Sequence, residues 1–294
     1  MTAASTPRPL DARAAIILTL CCIIWGVGLS MVKIASTGLP PVFNAALRSL
    51  VAGLILLGWV WSRGVDLRHP GTFWPGVFIG LCFSFEFITL YLGLTATDAA
   101  RATIFLHCAP FIAAAGEHYL VPGHKLSGVR LLGLVAAFIG MAIALMDRTT
   151  GGGTMYGDLL CLAGGVGWGL ITIGVKTTAL RNAPPETSLL YQLIVSIPIL
   201  FAWSYLFETR AIGPLTPDVL GAFAYTVIFI VVIGYSTWFW MMGRYSAASL
   251  HAFTFLTPLF GALAGALLLG EQIGWITMAG LVLVAAGIWL VNRA

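Results

Sequence analysis

The sequence predicts an all-α integral membrane protein: ten transmembrane helices arranged as two inverted five-helix repeats. Three observations carry this. The 294 residues are 59% hydrophobic and 9% charged. A soluble domain carries roughly 25% charged residues, so this chain has too few polar groups to cover a globular surface. Its apolar residues fall in long continuous runs, which suit helices, since barrel strands would alternate in and out over about ten residues. Finally, the chain repeats itself: WGVGLSMVK at 25–33 returns as WGLITIGVK at 168–176.

A membrane span needs about 20 apolar residues. Runs bounded by turn signals give spans at 14–34, 41–62, 73–94, 98–120, 126–146, 155–178, 186–207, 217–242, 247–269 and 273–292. The first run carries Trp25 and Lys33, so it reads as a retained helix and not a cleaved signal peptide. Leu39-Pro40-Pro41, Arg68-His69-Pro70-Gly71, Asn182-Ala183-Pro184-Pro185 and Gly213-Pro214 are turn signals. The low-complexity joint Thr149-Thr150-Gly151-Gly152-Gly153 sits midway. The expected organisation is therefore a first repeat at 1–148, a joint at 149–154 and a second repeat at 155–294.

Other matches follow the same plan. Trp25 and Trp168 are offset by 143 (168 − 25), Pro110 and Pro258 by 148 (258 − 110). Gly133 and Gly140 match Gly280 and Gly287 at an offset of 147 (280 − 133). Loop insertions account for the drift. Five spans per repeat place the second repeat upside down relative to the first, the plan of many secondary transporters. Pro110 and Pro258, near the middle of their expected spans, should each kink a helix. Matching interruptions in two halves point to a transporter's site.

With a cytoplasmic N-terminus, ten Lys and Arg residues fall on the inner side and four on the outer. That asymmetry puts both termini inside a bacterial inner membrane. Basic residues stand singly, so no nucleic-acid partner is expected. Cys21, Cys22, Cys82, Cys108 and Cys161 lie in apolar runs without CxxC or Cys/His spacing and read as small buried residues. There is no His pair at metal spacing, no GxSxG and no phosphate loop. The chain is expected to be no enzyme and to need no cofactor or metal.

A few residues stand out as chemistry. Glu86 and His107 each lie about ten residues from the hairpin joining the third and fourth spans, which at 1.5 Å per residue puts both near the midplane. Deep ionisable groups are functional candidates. Their rival reading is a neutral Glu86 hydrogen-bonded to His107, merely joining two helices. Trp168, mid-span among Gly164, Gly165, Gly167 and Gly169, reads as a cavity wall, since tryptophan normally prefers the interface. Tyr235, Trp238 and Met242 share one face of the eighth span at i, i+3 and i+7. Arg48 is expected to snorkel outward and pair with Asp98 or Asp147, and Lys33 and Lys176 to reach an interface in the same way. Asp98 and Arg101 read as a helix-end charge pair. Gly76/Gly80, Gly165/Gly169 and Gly261/Gly265 are candidate close helix contacts.

The ordered set of WGxxxxxVK motifs, the prolines in AARATIFLHCAPF and AASLHAFTFLTPLFGALAGALLLGE, and the Gly-rich fifth and tenth spans resembles the drug/metabolite transporter superfamily, in its EamA-domain branch. Within that branch the chain looks most like amino-acid exporters of the YddG type, which favour aromatic substrates. The resemblance implies a central cavity touched by the helices carrying Glu86, His107, Trp168, Tyr235, Trp238 and Phe255. It also implies alternating access, with a small molecule and the lipid bilayer as partners and a monomer allowed. The expected cargo is an aromatic or large neutral amino acid; the alternative is a lipophilic cation handled by a multidrug exporter of the same fold. One departure stands out: Gly270-Glu271 follows the ninth span, but Pro122-Gly123 occupies the equivalent place in the first half.

Overall fold

The computed structural model describes residues 11–120, 128–146, 153–242, 254 and 256–293. Every regular element among them is helical: α1 (Ala12–Gly38), α2 (Pro41–Arg63), α3 (Phe73–Leu94), α4 (Ala99–Leu106), α5 (Ala109–Leu120), α6 (Gly128–Met146), α7 (Met155–Thr177), α8 (Pro185–Phe207), α9 (Pro217–Tyr225), α10 (Ser236–Met242), α11 (Leu256–Leu269) and α12 (Trp275–Arg293). The starts obey local chemistry. The Asp11 and Thr154 side chains accept from Ala14 N–H and Gly157 N–H, and Pro41, Pro185 and Pro217 open α2, α8 and α9. Proline suits that position because its missing N–H would have had no helical partner. Gly64 ends α2 at φ 62°, a left-handed conformation that glycine adopts without steric cost.

Among the described residues six helical stretches are long and apolar enough to cross a membrane: α1, α2, α3, α7, α8 and the run Pro217–Trp238. Large apolar side chains such as Leu54, Leu81, Phe85, Leu159, Ile194 and Ile228 are exposed along them, the outward face a lipid solvent requires. Trp61, Trp74 and Trp275, near helix ends, are also strongly exposed. All five cysteines are buried and free.

Two expected spans are not single α-helices. The fourth breaks at His107-Cys108, between α4 and α5. Pro110 has no N–H to give the Leu106 carbonyl, so the ladder fails there. Pro110 is the second residue of α5 and Pro258 the third of α11. Both stand in the first described turn of their helix, where proline is tolerated. Pro110 thus follows a break between two helices instead of kinking one; before Pro258, residues 243–253 and 255 lie outside the described residues. The eighth expected span switches from α9 into a π-helical stretch, Thr226–Tyr235, before returning to α10. Such i→i+5 segments are rare and concentrate at functional sites.

Glycines set the helix contacts. A methyl on Gly140 or Gly280 would strike the other's carbonyl, and one on Gly287 would strike that of Gly133, so α6 and α12 touch backbone to backbone. The 147-residue offset exchanges these two contacts. A Cβ on Gly26 would meet Phe260, and one on Gly169 would meet Ile112; the offsets of 143 and 148 carry the first contact onto the second. Gly76 and Gly80 of α3 seat Tyr191 and Val195 of α8, Gly165 lies against the Leu106 carbonyl, and Gly261 against Thr103. All three GxxxG pairs therefore lie in tight contacts.

Candidate functional site

A cavity of about 220 Å³ lies between α1, α2, α3, α4, α7, α8 and the π segment. Glu86, His107, Trp168, Tyr235 and Trp238 all line it. Phe255, and the side chain of Met242, lie outside the described residues. Each lining residue is placed by a local feature. Glu86, 6% exposed, comes close to α7 because Gly164 and Gly167 offer no side chain there; a Cβ on Gly167 would sit 3.2 Å from Glu86 Cβ. His107 stands in the break between α4 and α5. Its Nδ1 lies 2.7 Å from the Thr103 carbonyl, which can only accept, so Nδ1 carries the proton. Glu86 and His107 are not hydrogen-bonded to each other; His107 instead meets Trp168 edge to face, ring centroids 5.7 Å apart.

The glycines around Trp168 serve a different purpose from the one expected. They seat α3, α4 and α5 against α7 and do not empty space around the indole. Trp25, which the sequence marked only as half of a repeat, is part of the same wall. Its ring lies 6.1 Å from Tyr235 and 5.4 Å from Trp238, and its Nε1 is buried without a partner. Gly234, the position equivalent to Glu86, makes room for it: a Cβ there would sit 2.8 Å from Trp25 Nε1. The repeat thus supplies two tryptophans to one cavity and a carboxylate from one side alone.

Arg48 departs most from expectation. It does not snorkel outward and pairs with no carboxylate among the described residues; Asp147 lies outside them. The side chain is 2% exposed and lines the cavity. Its Cζ sits 4.0 Å above the Phe87 ring and 5.6 Å from that of Tyr91. Phe83, Phe87 and Tyr91, spaced at i, i+4 and i+8 on α3, form a ladder with centroids 4.4 and 5.8 Å apart. Helical spacing of four stacks them on one face, and that face holds the guanidinium.

At one end of the bundle hydrogen bonds and ion pairs close the loops on one another. Loops 38–41, 95–98, 153–154, 208–213 and 270–274 gather there. Lys33 Nζ, expected to reach an interface, instead donates to Glu271 at 2.8 Å and to the Thr97 carbonyl at 3.0 Å. Glu271 also accepts from Ala99 N–H and Ala100 N–H, the start of α4, whose Asp98 N-cap makes no side-chain bond. Gly270, at φ 66°, turns the chain so that Glu271 can arrive. Glu208 caps α2 likewise, accepting from Val42 N–H at 2.7 Å and Phe43 N–H at 2.9 Å. Anions at helix N-termini meet orphan donors and the positive end of the macrodipole. Arg101 pairs not with Asp98 but with Asp158, at 2.6 Å. A second hollow of about 290 Å³, lined by Lys33, Ser36, Thr37, Leu94, Thr95 and Arg210, opens among these groups. Tyr91 borders both spaces. Toward the opposite end the main cavity reaches Lys176 and Ser188.

Burial, then the neighbouring Glu271 carboxylate, raise the Asp98 pKa. A carboxyl whose pKa is raised by folding favours the folded state below its unfolded pKa, and that contribution is lost as pH rises through the folded value. Asp98→Asn is therefore expected to raise the melting temperature at neutral pH, with the gain shrinking as pH falls through the carboxylate range. Thermal melts of the two proteins across that range check it; a gain that grows on acidification refutes it.

The comparisons agree with this geometry. A family model described as the EamA-like transporter family matches twice, over residues 12–146 and 155–293. The "uncharacterized transporter YvbV" of Bacillus subtilis is 26% identical, covering 95% of this chain and 92% of its own. A "probable amino-acid metabolite efflux pump" of Salmonella typhimurium is 25% identical, covering 91% of each. A crystal structure 20% identical in sequence superposes with a TM-score of 0.68, over 95% of this chain and 96% of its own, a likeness of fold. A multi-pass apolar bundle with an aromatic-lined cavity and two family matches in succession thus leads to one assignment: the chain belongs to the EamA-like transporter family and is a membrane transporter.

Proposed function

We propose that the protein exports small amphipathic metabolites, aromatic or large neutral amino acids above all, across the bacterial inner membrane by alternating access. The observation that carries this is the cavity: aromatic walls from Trp25, Trp168, Tyr235 and Trp238 around a carboxyl group, Glu86, and a guanidinium, Arg48, with no ion pair between them. Aromatic faces suit an aromatic side chain, and a few convergent polar groups fix the rest of a ligand. The efflux-pump name of the Salmonella relative supports the substrate class.

In this reading ten spans form two inverted repeats, and the contacts exchanged by the repeat offsets are the joints about which they rock. The loop-rich end faces outward, as the distribution of Lys and Arg favours. The closed network around Lys33, Glu271, Arg101 and Asp158 is then an outer gate, and the cavity is reached from the cytoplasm. Glu86 is the ammonium partner and the candidate proton carrier.

The test is counterflow in proteoliposomes: labelled phenylalanine against unlabelled amino acids and cationic dyes. Exchange blocked by aromatic and large neutral amino acids is expected. Dye transport without phenylalanine exchange would favour a lipophilic-cation exporter, for which Glu86 in an aromatic cavity also suits the cargo. Absence of both, in vesicles holding folded protein, overturns the substrate class.

A further inference from the structure

We infer that Arg48 is an anion subsite of the cavity, taking the carboxylate of an amphipathic ligand whose apolar body lies among the aromatic walls. The inference deepens the proposed function, and for transport it rests on that reading; binding of a simple aromatic acid tests it separately.

Three facts converge on Arg48. The side chain is 2% exposed, yet its Nε and Nη2 bond to nothing. Buried guanidinium donors are ordinarily satisfied, and a buried cation without a counter-charge is strongly unfavourable. The chain nonetheless keeps it there, and it lines the cavity. Second, the chain has carboxylates to spare and sends them elsewhere. Asp158 goes to Arg101, Glu271 to Lys33, and Glu208 to the start of α2. Glu86 lines the same cavity but makes no ion pair with Arg48. Third, the guanidinium is held from one side by aromatic faces alone, Phe87 and Tyr91. An aromatic face attracts a cation without using its N–H donors. Those donors stay unspent; both are themselves buried, so the guanidinium turns toward the cavity to make the forked bond that a carboxylate forms with arginine.

Tyr91 adds a second donor. Its hydroxyl is buried without a partner, and the residue borders both the main cavity and the hollow beyond. A carboxylate on Arg48 therefore sits beside the residue that the two spaces share. With Glu86 in the same cavity, the arrangement is dipolar: an anion at Arg48, a cation at Glu86, and an aromatic body between.

The experiment uses purified full-length protein and three probes: 3-phenylpropionate, with a carboxylate only; phenethylamine, with an ammonium only; and phenylalanine. Binding is read by ligand-induced thermal stabilisation, and exchange by counterflow. Wild type is expected to bind 3-phenylpropionate. Arg48→Gln is expected to lose at least tenfold in affinity for it while keeping phenethylamine. If Arg48→Gln does not fold, Arg48→Lys decides, with a several-fold loss expected because a point charge replaces the fork. Wild type that fails to bind 3-phenylpropionate overturns the subsite, as does unchanged affinity in the variants. The two readings part cleanly. Arg48-dependent binding of 3-phenylpropionate without phenylalanine exchange keeps the subsite and removes the amino-acid cargo. Phenylalanine exchange indifferent to Arg48 keeps the cargo and removes the subsite.

Discussion

Asp158→Asn is expected to destabilise the protein more than any other single polar substitution at the closed end. Asp158 is fully buried in the first turn of α7, and the Arg101 side chain it holds is 3% exposed. Arg101 Nη2 donates at 2.6 Å and Nε at 3.2 Å, and Thr97 Oγ1 adds a third bond at 2.6 Å. The amide keeps the shape but removes the counter-charge. Breaking a buried pair from one side costs about 3–5 kcal/mol, because the other charge stays buried. The carboxylate also loses its favourable place at a helix N-terminus. The expected result is a large drop in melting temperature, together with new reactivity of a cysteine placed at Thr97 toward a membrane-impermeant thiol reagent. A variant as stable as wild type would mean that Arg101 finds another counter-charge and that this pair does not hold the end closed.

Glu86→Gln is expected to have the largest effect on transport. A charge-assisted hydrogen bond contributes about 1.5–3 kcal/mol, and each 1.4 kcal/mol is a factor of about ten. Phenylalanine exchange should therefore fall by roughly ten- to a hundred-fold, while binding of 3-phenylpropionate is kept. The substitution is nearly isosteric at a position where Gly164 and Gly167 have already made room, so the variant should remain monodisperse. Equal phenylalanine exchange would remove Glu86 from ammonium binding. An unchanged response to a pH gradient would remove it from proton coupling.

The closed end explains a departure noted in the sequence. Gly270-Glu271 has no counterpart at Pro122-Gly123, and the structure gives Glu271 three partners, Lys33 and the first two N–H groups of α4. The lysine of one WGxxxxxVK motif is bound into that network, while the other, Lys176, lines the main cavity. One repeated residue therefore serves opposite ends of the bundle.

Much of this protein was determined by local pattern. Long apolar runs, helix-starting prolines and recurring glycines depend on neighbours in sequence, so the helices, the membrane class and the tight helix contacts could be read from the chain. Depth from a hairpin also follows from a fixed rise per residue, which is how Glu86 and His107 were singled out; both line the cavity. Tertiary structure decided which charges meet. Arg48 reads as a snorkelling residue because it lies near a helix end; only the ladder of Phe83, Phe87 and Tyr91 on the neighbouring α3 turns it inward. Arg101 has an acid three residues before it, yet it pairs with one fifty-seven residues away. Coulomb attraction falls with distance through space, not along the chain, and the space is made by glycines that let α3, α4 and α7 close on one another. The sequence names the residues able to bind; the packing of those helices decides which are left without a partner of their own, and so are free for a ligand.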